Sequence, residues 1–241
     1  MPLALLRRDL RKASSPKRAA INRWFFKTGK GQYGEGDRFI GVTMPDIRLI
    51  AKRHQDLSRR EIRRLLLSKT HEERMAAVVI LTLQYASAPA KTYQFYLANA
   101  KRANNWDLVD CSASQIVGEH LMTRPRAILR RLARSRNLWE RRIAIVSTQR
   151  FIRAGELRDT FYIAAMLMDD PHDLIHKATG WMLREAGKRD LTALRRFLNR
   201  HARRMPRTML RYAIERMSPR EREHYLHLYQ RRMLLHTQYR Q

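Results

Sequence analysis

Thr70-His71-Glu72-Glu73-Arg74-Met75-Ala76-Ala77-Val78-Val79-Ile80-Leu81-Thr82-Leu83 carries the clearest fold signal in the chain. Thr70 and Glu73 stand at capping-box spacing, where a hydroxyl and a carboxylate satisfy the open N–H groups of a first helical turn. Behind them Met75, Val78, Val79, Ile80 and Leu83 recur at the intervals of a buried helix face. The same signature repeats outward in both directions. Ser15-Pro16 opens a segment through Trp24, Phe25 and Phe26, and Thr43 with Asp46 opens another. Ser58 with Glu61 precedes Ile62, Leu65 and Leu66, and Asn104 with Asp107 is a looser version. Asp170-Pro171, Asp190 and Ser218-Pro219 mark later starts, while Gly155 and Gly187 read as stops. Phe161, Ala164, Ala165 and Met168 continue the helical spacing.

These signals predict about a dozen helices joined by short turns. With 9 Gly and 8 Pro in 241 residues, the chain lacks the turn residues that many strands require. Small alanines recur in basic amphipathic segments at Ala77, Ala113, Ala144, Ala178 and Ala213, in steps of 36, 31, 34 and 35 residues. That period suits a two-helix unit of an α-solenoid. The reading is therefore all-α: a right-handed stack of helical hairpins, a single domain over residues 1–241, with one concave basic face. The stretch from Gly29 to Gly41, around Tyr33, Gly34 and Gly36, breaks the pattern and is the best candidate for a ligand-touching loop.

Composition narrows the partner. Fifty Lys+Arg against 22 Asp+Glu give a formal charge of +28. Such an excess repels itself unless a polyanion screens it. A genome rich in arginine codons explains Arg over Lys but not the shortage of carboxylates. Nucleic acid is the expected partner. The single Cys111 excludes an internal disulfide, suits a reducing cytoplasm, and reads as a buried thiol rather than a nucleophile. No run of about 18 apolar residues is present, so no membrane span is expected. The N-terminus, broken by Arg7, Arg8 and Asp9, does not read as a signal peptide.

Chemistry concentrates in Asn104-Asn105-Trp106-Asp107-Leu108-Val109-Asp110. On a helix Trp106 and Asp110 share a face, about 6 Å apart along the axis. An aromatic plane beside a carboxylate suits a cationic ligand. The pair equally suits a core tryptophan beside a capping aspartate, and spacing alone leaves both open. Gly180, in Ile175-His176-Lys177-Ala178-Thr179-Gly180-Trp181, sits in mid-helix and signals a close approach by a neighbouring helix or a ligand. Leu138-Trp139-Glu140-Arg141-Arg142 offers two adjacent arginines, of which only one can face a groove squarely. His172 with His176, and His224 with His227, stand four and three apart without a third ligand, so no metal is expected. Arginines are spread over many helices, among them Arg59, Arg63, Arg130, Arg195 and Arg211, as suits backbone contacts along a duplex.

Taken together, these segments resemble the AlkD family of bacterial DNA alkylation repair glycosylases, built of HEAT-like helical repeats. The resemblance runs from about Ile21 to Tyr225. It is carried by Tyr33 to Val42, Asn105 to Asp110, Leu138 to Ala144 and Ile175 to Glu185, in that order. It implies a monofunctional glycosylase acting on N3- and N7-alkylated purines in double-stranded DNA without flipping the base. It implies Trp106, Asp110 and Trp181 as catalytic residues and selects Arg142 for a backbone phosphate. Tyr33 joins the aromatic cleft, and Arg141 and Lys177 are further candidates for DNA contact. A cytoplasmic or nucleoid monomer needing no cofactor follows. A non-catalytic DNA- or RNA-binding repeat protein that recognises branched or distorted nucleic acid is the alternative. The extreme arginine content and a basic tail from Arg231 to Gln241 depart from the family pattern and bear on affinity.

Overall fold

Open N–H groups at a helix N-terminus need acceptors, and most of the side chains expected to supply them do so. In the computed structural model, which describes residues 2–238 and only the backbone beyond 228, Ser15 accepts from the Arg18 N–H and Thr43 from that of Asp46. Ser58 and Glu61 form the full reciprocal box. Ser218 and Glu221 form another, and Asp190 accepts from Ala193. Three starts differ. Thr70 begins its helix without a side-chain cap: its own N–H donates to the Ser68 hydroxyl, and the Glu73 carboxylate, the other half of the expected box, pairs with the Arg7 guanidinium at 2.9 Å. Asn105, not Asn104, caps the next segment, with its side-chain oxygen 2.8 Å from the Trp106 nitrogen. His172, not Asp170, caps the helix after Pro171, because Asp170 is engaged by Arg141.

The chain gathers into two compact units, Met1–His120 and Leu121–Gln241. The first holds α1 (Pro2–Lys12), α2 (Pro16–Phe25), α3 (Met44–Arg53), α4 (Arg59–Leu66), α5 (His71–Tyr85), α6 (Pro89–Ala98) and α7 (Trp106–Asp110), followed by a π turn at Ser114–Gly118. Its core is α5, packed on α3 and α4 through Ile47, Ile62, Leu65, Met75 and Ile80. The second holds α8 (Ala127–Ala133), α9 (Leu138–Ser147), α10 (Gln149–Arg153), α11 (Arg158–Met166), α12 (Asp173–Arg189), α13 (Leu191–His201), α14 (Arg207–Ala213) and α15 (Pro219–Gln238). There α12 is central, packing on α9, α13 and α14 through Ile143, Ile175, Met182, Leu183 and Leu210. Side chains of the basic tail, Arg231 to Gln241, lie outside the described residues.

The all-α class holds. Among the described residues no strand forms, only an isolated bridge between Arg38 and Thr70. No described helix is long and apolar enough to cross a membrane. The five recurrent alanines are all buried.

Gly155 follows α10 with φ +83, as a helix stop requires. Gly187 does not stop α12, which runs on to Arg189. A Cβ there would run into the Leu194 side chain, so this glycine serves packing on α13. Gly180 is likewise a close approach, and the neighbour is a helix: an added Cβ would lie 2.5 Å from both the Met209 carbonyl oxygen and Tyr212 Cβ of α14. Helix propensity alone predicts that Gly180→Ala stabilises by about 1 kcal/mol. The packing predicts the reverse, a loss of about 1–3 kcal/mol as α14 is pushed away. Denaturant unfolding of the variant decides the sign.

Candidate functional site

Trp106 opens α7, and three neighbours fix its indole. Its Nε1–H donates to the Tyr33 hydroxyl at 3.2 Å, which joins the Gly-rich loop to the helix. The Phe26 ring lies against it, centroids 5.3 Å apart and planes 26° from parallel. Phe25 meets it edge-on at 5.9 Å. Asp110 closes the same helix, one turn on and half-buried. Unit 1 therefore brings Tyr33, Trp106 and Asp110 to one short helix and its facing loop.

The stack continues inward. Phe39 lies on Phe26 at 5.0 Å, and His71 on Phe39 at 4.5 Å. His71, at the start of α5, directs Nε2 to the Asp107 carboxylate at 2.8 Å and Nδ1 to that of Asp37 at 3.4 Å. Arg74 pairs with Asp37 at 2.7 Å, and the Asn104 amide donates to the same carboxylate at 2.5 Å. Asp107, placed by spacing in a cap with Asn104, is thus a tether between α7 and α5. Nothing local in the sequence shows this, since the partners are 36 residues apart. Phe25 and Phe26, read only as part of a helical segment, prove to be the aromatic bed of Trp106.

Burial opposes a charge on His71, but Asp107 and Asp37 outweigh it and push the imidazole up to about 9. Asp37 is opposed by burial too, yet the His71 hydrogen bond and the Arg74 charge hold it below its usual range. Burial above all, reinforced by the charges of Asp107 and Asp110, pushes the Cys111 thiol far up. Its sulfur lies 3.5 Å from that of Met75. A thiol so held is no nucleophile at neutral pH.

In the second unit Trp181 lies half-buried on α12. The two arginines of α9 separate cleanly. Arg141 pairs with Asp170 through Nε at 2.5 Å and donates to the Ser135 and Arg136 carbonyls. Arg142 is only 5% exposed and donates to the Leu174 carbonyl at 2.6 Å. Both arginines thereby hold the start of the helix that carries Trp181. Lys177, one turn before Trp181, pairs with Asp173 at 2.8 Å and stays partly exposed. His172 is the helix cap, and His176 bonds the Asp170 carbonyl at 2.5 Å. Both histidines thus have structural partners.

A family model for the DNA alkylation repair enzyme matches residues 6–217. The chain belongs to this DNA alkylation repair enzyme family. Its fold is also similar to the solved structure of a predicted DNA alkylation repair enzyme from Enterococcus faecalis. The TM-score is 0.72 over 86% of this chain and 97% of that one, at 15% identity, a likeness of fold alone. No curated protein matches the chain in sequence. Membership in the DNA alkylation repair family assigns the protein a role in the repair of alkylated DNA.

The His71 tether gives this repair protein a distinctive pH response. A histidine raised from 6.5 to about 9 contributes stability that is complete below pH 6.5 and lost as pH rises through 9. Asp37, lowered from 3.8, contributes above that value and is lost as pH falls through its folded one. The network is therefore strongest between these limits. Its alkaline loss is on the order of a few kcal/mol. Thermal melting of wild type should decline between pH 6.5 and 9.5, and His71→Gln should start lower and lose that decline. Parallel curves would show that His71 does not carry it.

Proposed function

We propose that the protein is a monofunctional DNA glycosylase that hydrolyses the N-glycosidic bond of cationic N3- and N7-alkylated purines in duplex DNA. The observation that carries this reading is α7, where an indole fixed by Tyr33 and Phe26 stands one turn from the Asp110 carboxylate. The family's role in alkylation repair supports the lesion class, and the +28 charge supports DNA as the partner.

An N3- or N7-alkylpurine already carries a positive charge. It departs as a neutral base, taking the electron pair of the glycosidic bond, and needs little acid assistance. The remaining sugar is oxocarbenium-like, and an ionised Asp110 stabilises it and orients the attacking water. Water adds at C1′, and its proton passes to Asp110 or to solvent. Trp106 packs against the deoxyribose and favours the cation through its ring face, a part that the family resemblance gives to Trp181 as well. Arg142 takes a backbone phosphate. Lys177 offers a second, more exposed phosphate contact, and Arg141 acts by holding α12. The lesion stays in the base stack, and the enzyme works as a monomer without cofactor.

A base-release assay on methylated duplex DNA tests the proposal. Wild type should liberate 7-methylguanine or 3-methyladenine, and Asp110→Asn should lose about 10²-fold or more in rate while still binding DNA. Normal turnover by the variant removes Asp110 from the chemistry. Tight binding of branched or distorted DNA by wild type, with no release from any alkylated substrate, replaces the enzyme with a non-catalytic binding protein.

A further inference from the structure

α2 is barely embedded in its unit. Of its ten residues only Ala19 is buried. Ile21, Trp24 and Phe25 stand 57%, 74% and 51% exposed, although they are the residues a helix ordinarily packs away. Their spacing of three and four places them on one stripe. Lys17, Arg18, Arg23, Lys27 and Lys30 surround that stripe, all exposed. No carboxylate occurs between Asp9 and Glu35. An apolar stripe fenced only by cations complements a polyanion with flat apolar parts, and nucleic acid has that chemistry.

A second observation concerns Lys27, just beyond the end of α2. It has φ 53, the one non-glycine residue at positive φ among those described. Such a backbone costs a residue with a Cβ about 1–2 kcal/mol, and glycine is the usual occupant. Here the position keeps a lysine, whose ammonium lies 5.0 Å from the Trp24 ring centroid. The strain holds a cation beside the most exposed indole of the unit. Phe25, the next residue, reaches the edge of Trp106, so the stripe adjoins the site already described.

In an intact duplex both faces of every base are covered by neighbours. A broad exposed indole gains most from a base that has lost its stacking partner. We propose that Trp24, flanked by Ile21 and Lys27, is a stacking platform for an unpaired nucleotide other than the lesion, which stays in the base stack, a contact distinct from that of Trp106. It rests on the DNA-binding part of the reading above and not on base release.

Fluorescence anisotropy with two labelled duplexes tests it, one fully paired and one with a single extra unpaired nucleotide, both at one fixed salt concentration. Thermal melting establishes that the variants fold. Trp24→Ala should weaken binding to the bulged duplex about tenfold and to the paired duplex by less than about twofold, with Trp24→Phe recovering most of the loss. Equal losses on both probes, or no loss on either, overturn the platform. So does sedimentation showing that wild type is a dimer which Trp24→Ala dissociates, since the stripe is then a self-association surface. A wild type that binds both probes but releases no base leaves this contact standing and removes the glycosylase. A protein that releases bases yet is indifferent to Trp24 removes only this contact.

Discussion

The first unit depends on a single helical turn. His71, Glu72, Glu73 and Arg74 open α5, and each reaches a different part of the chain. His71 holds α7 through Asp107, and Glu73 holds α1 through Arg7. Arg74 pairs with Asp37 in the Gly-rich loop. The buried Glu72 carboxylate accepts from the Ile40 and Gly41 N–H groups, at 3.1 and 2.8 Å, and fixes the far end of that loop. Gly41 has φ +80, and a Cβ there would run into the Ser15 carbonyl, so the loop can reach Glu72 only as glycine. Carboxylates near a helix N-terminus are also favoured by its dipole. The turn thus gathers the loop that presents Tyr33 and the helix that presents Trp106.

The second unit solves the same problem with arginine. Arg141 and Arg142, adjacent on α9, reach Asp170 and the Leu174 carbonyl, and so set the entry of α12 from two directions. Arg126 is held similarly, between Glu156 and Asp159 with its guanidinium 3.9 Å from the Phe151 centroid. Several of the cations that make up the net charge are therefore structural. What remains for a polyanion is the exposed fraction, and α2 is a concentrated part of it.

Signals whose partners lie close by in the sequence are legible there, and long-range ones are not. Ser15, Thr43, Ser58, Asp190 and Ser218 are capping residues because the groups they satisfy lie within four residues, a distance that spacing can express. The recurrent alanines are legible through their period, and all five are buried. Thr70 with Glu73 has the spacing of a capping box, but the Glu73 carboxylate pairs with Arg7, 66 residues away. Gly187 looked like a stop and is a contact surface, a distinction that depends on Leu194. Of the candidate site, Trp106, Asp110 and Tyr33 were legible through spacing and resemblance. The bed beneath them was not. It consists of Phe26, Phe39 and His71 brought together by the loop's path, which no periodicity encodes.

Cys111 has a further consequence. The electrophiles that methylate purines also attack thiolates, so a protein acting where such reagents are present risks damage to its own sulfur. Here the thiol stays protonated, tucked against Met75 at the foot of the helix that bears Trp106 and Asp110. The position is thus chemically quiet at neutral pH, next to the helix of the candidate site.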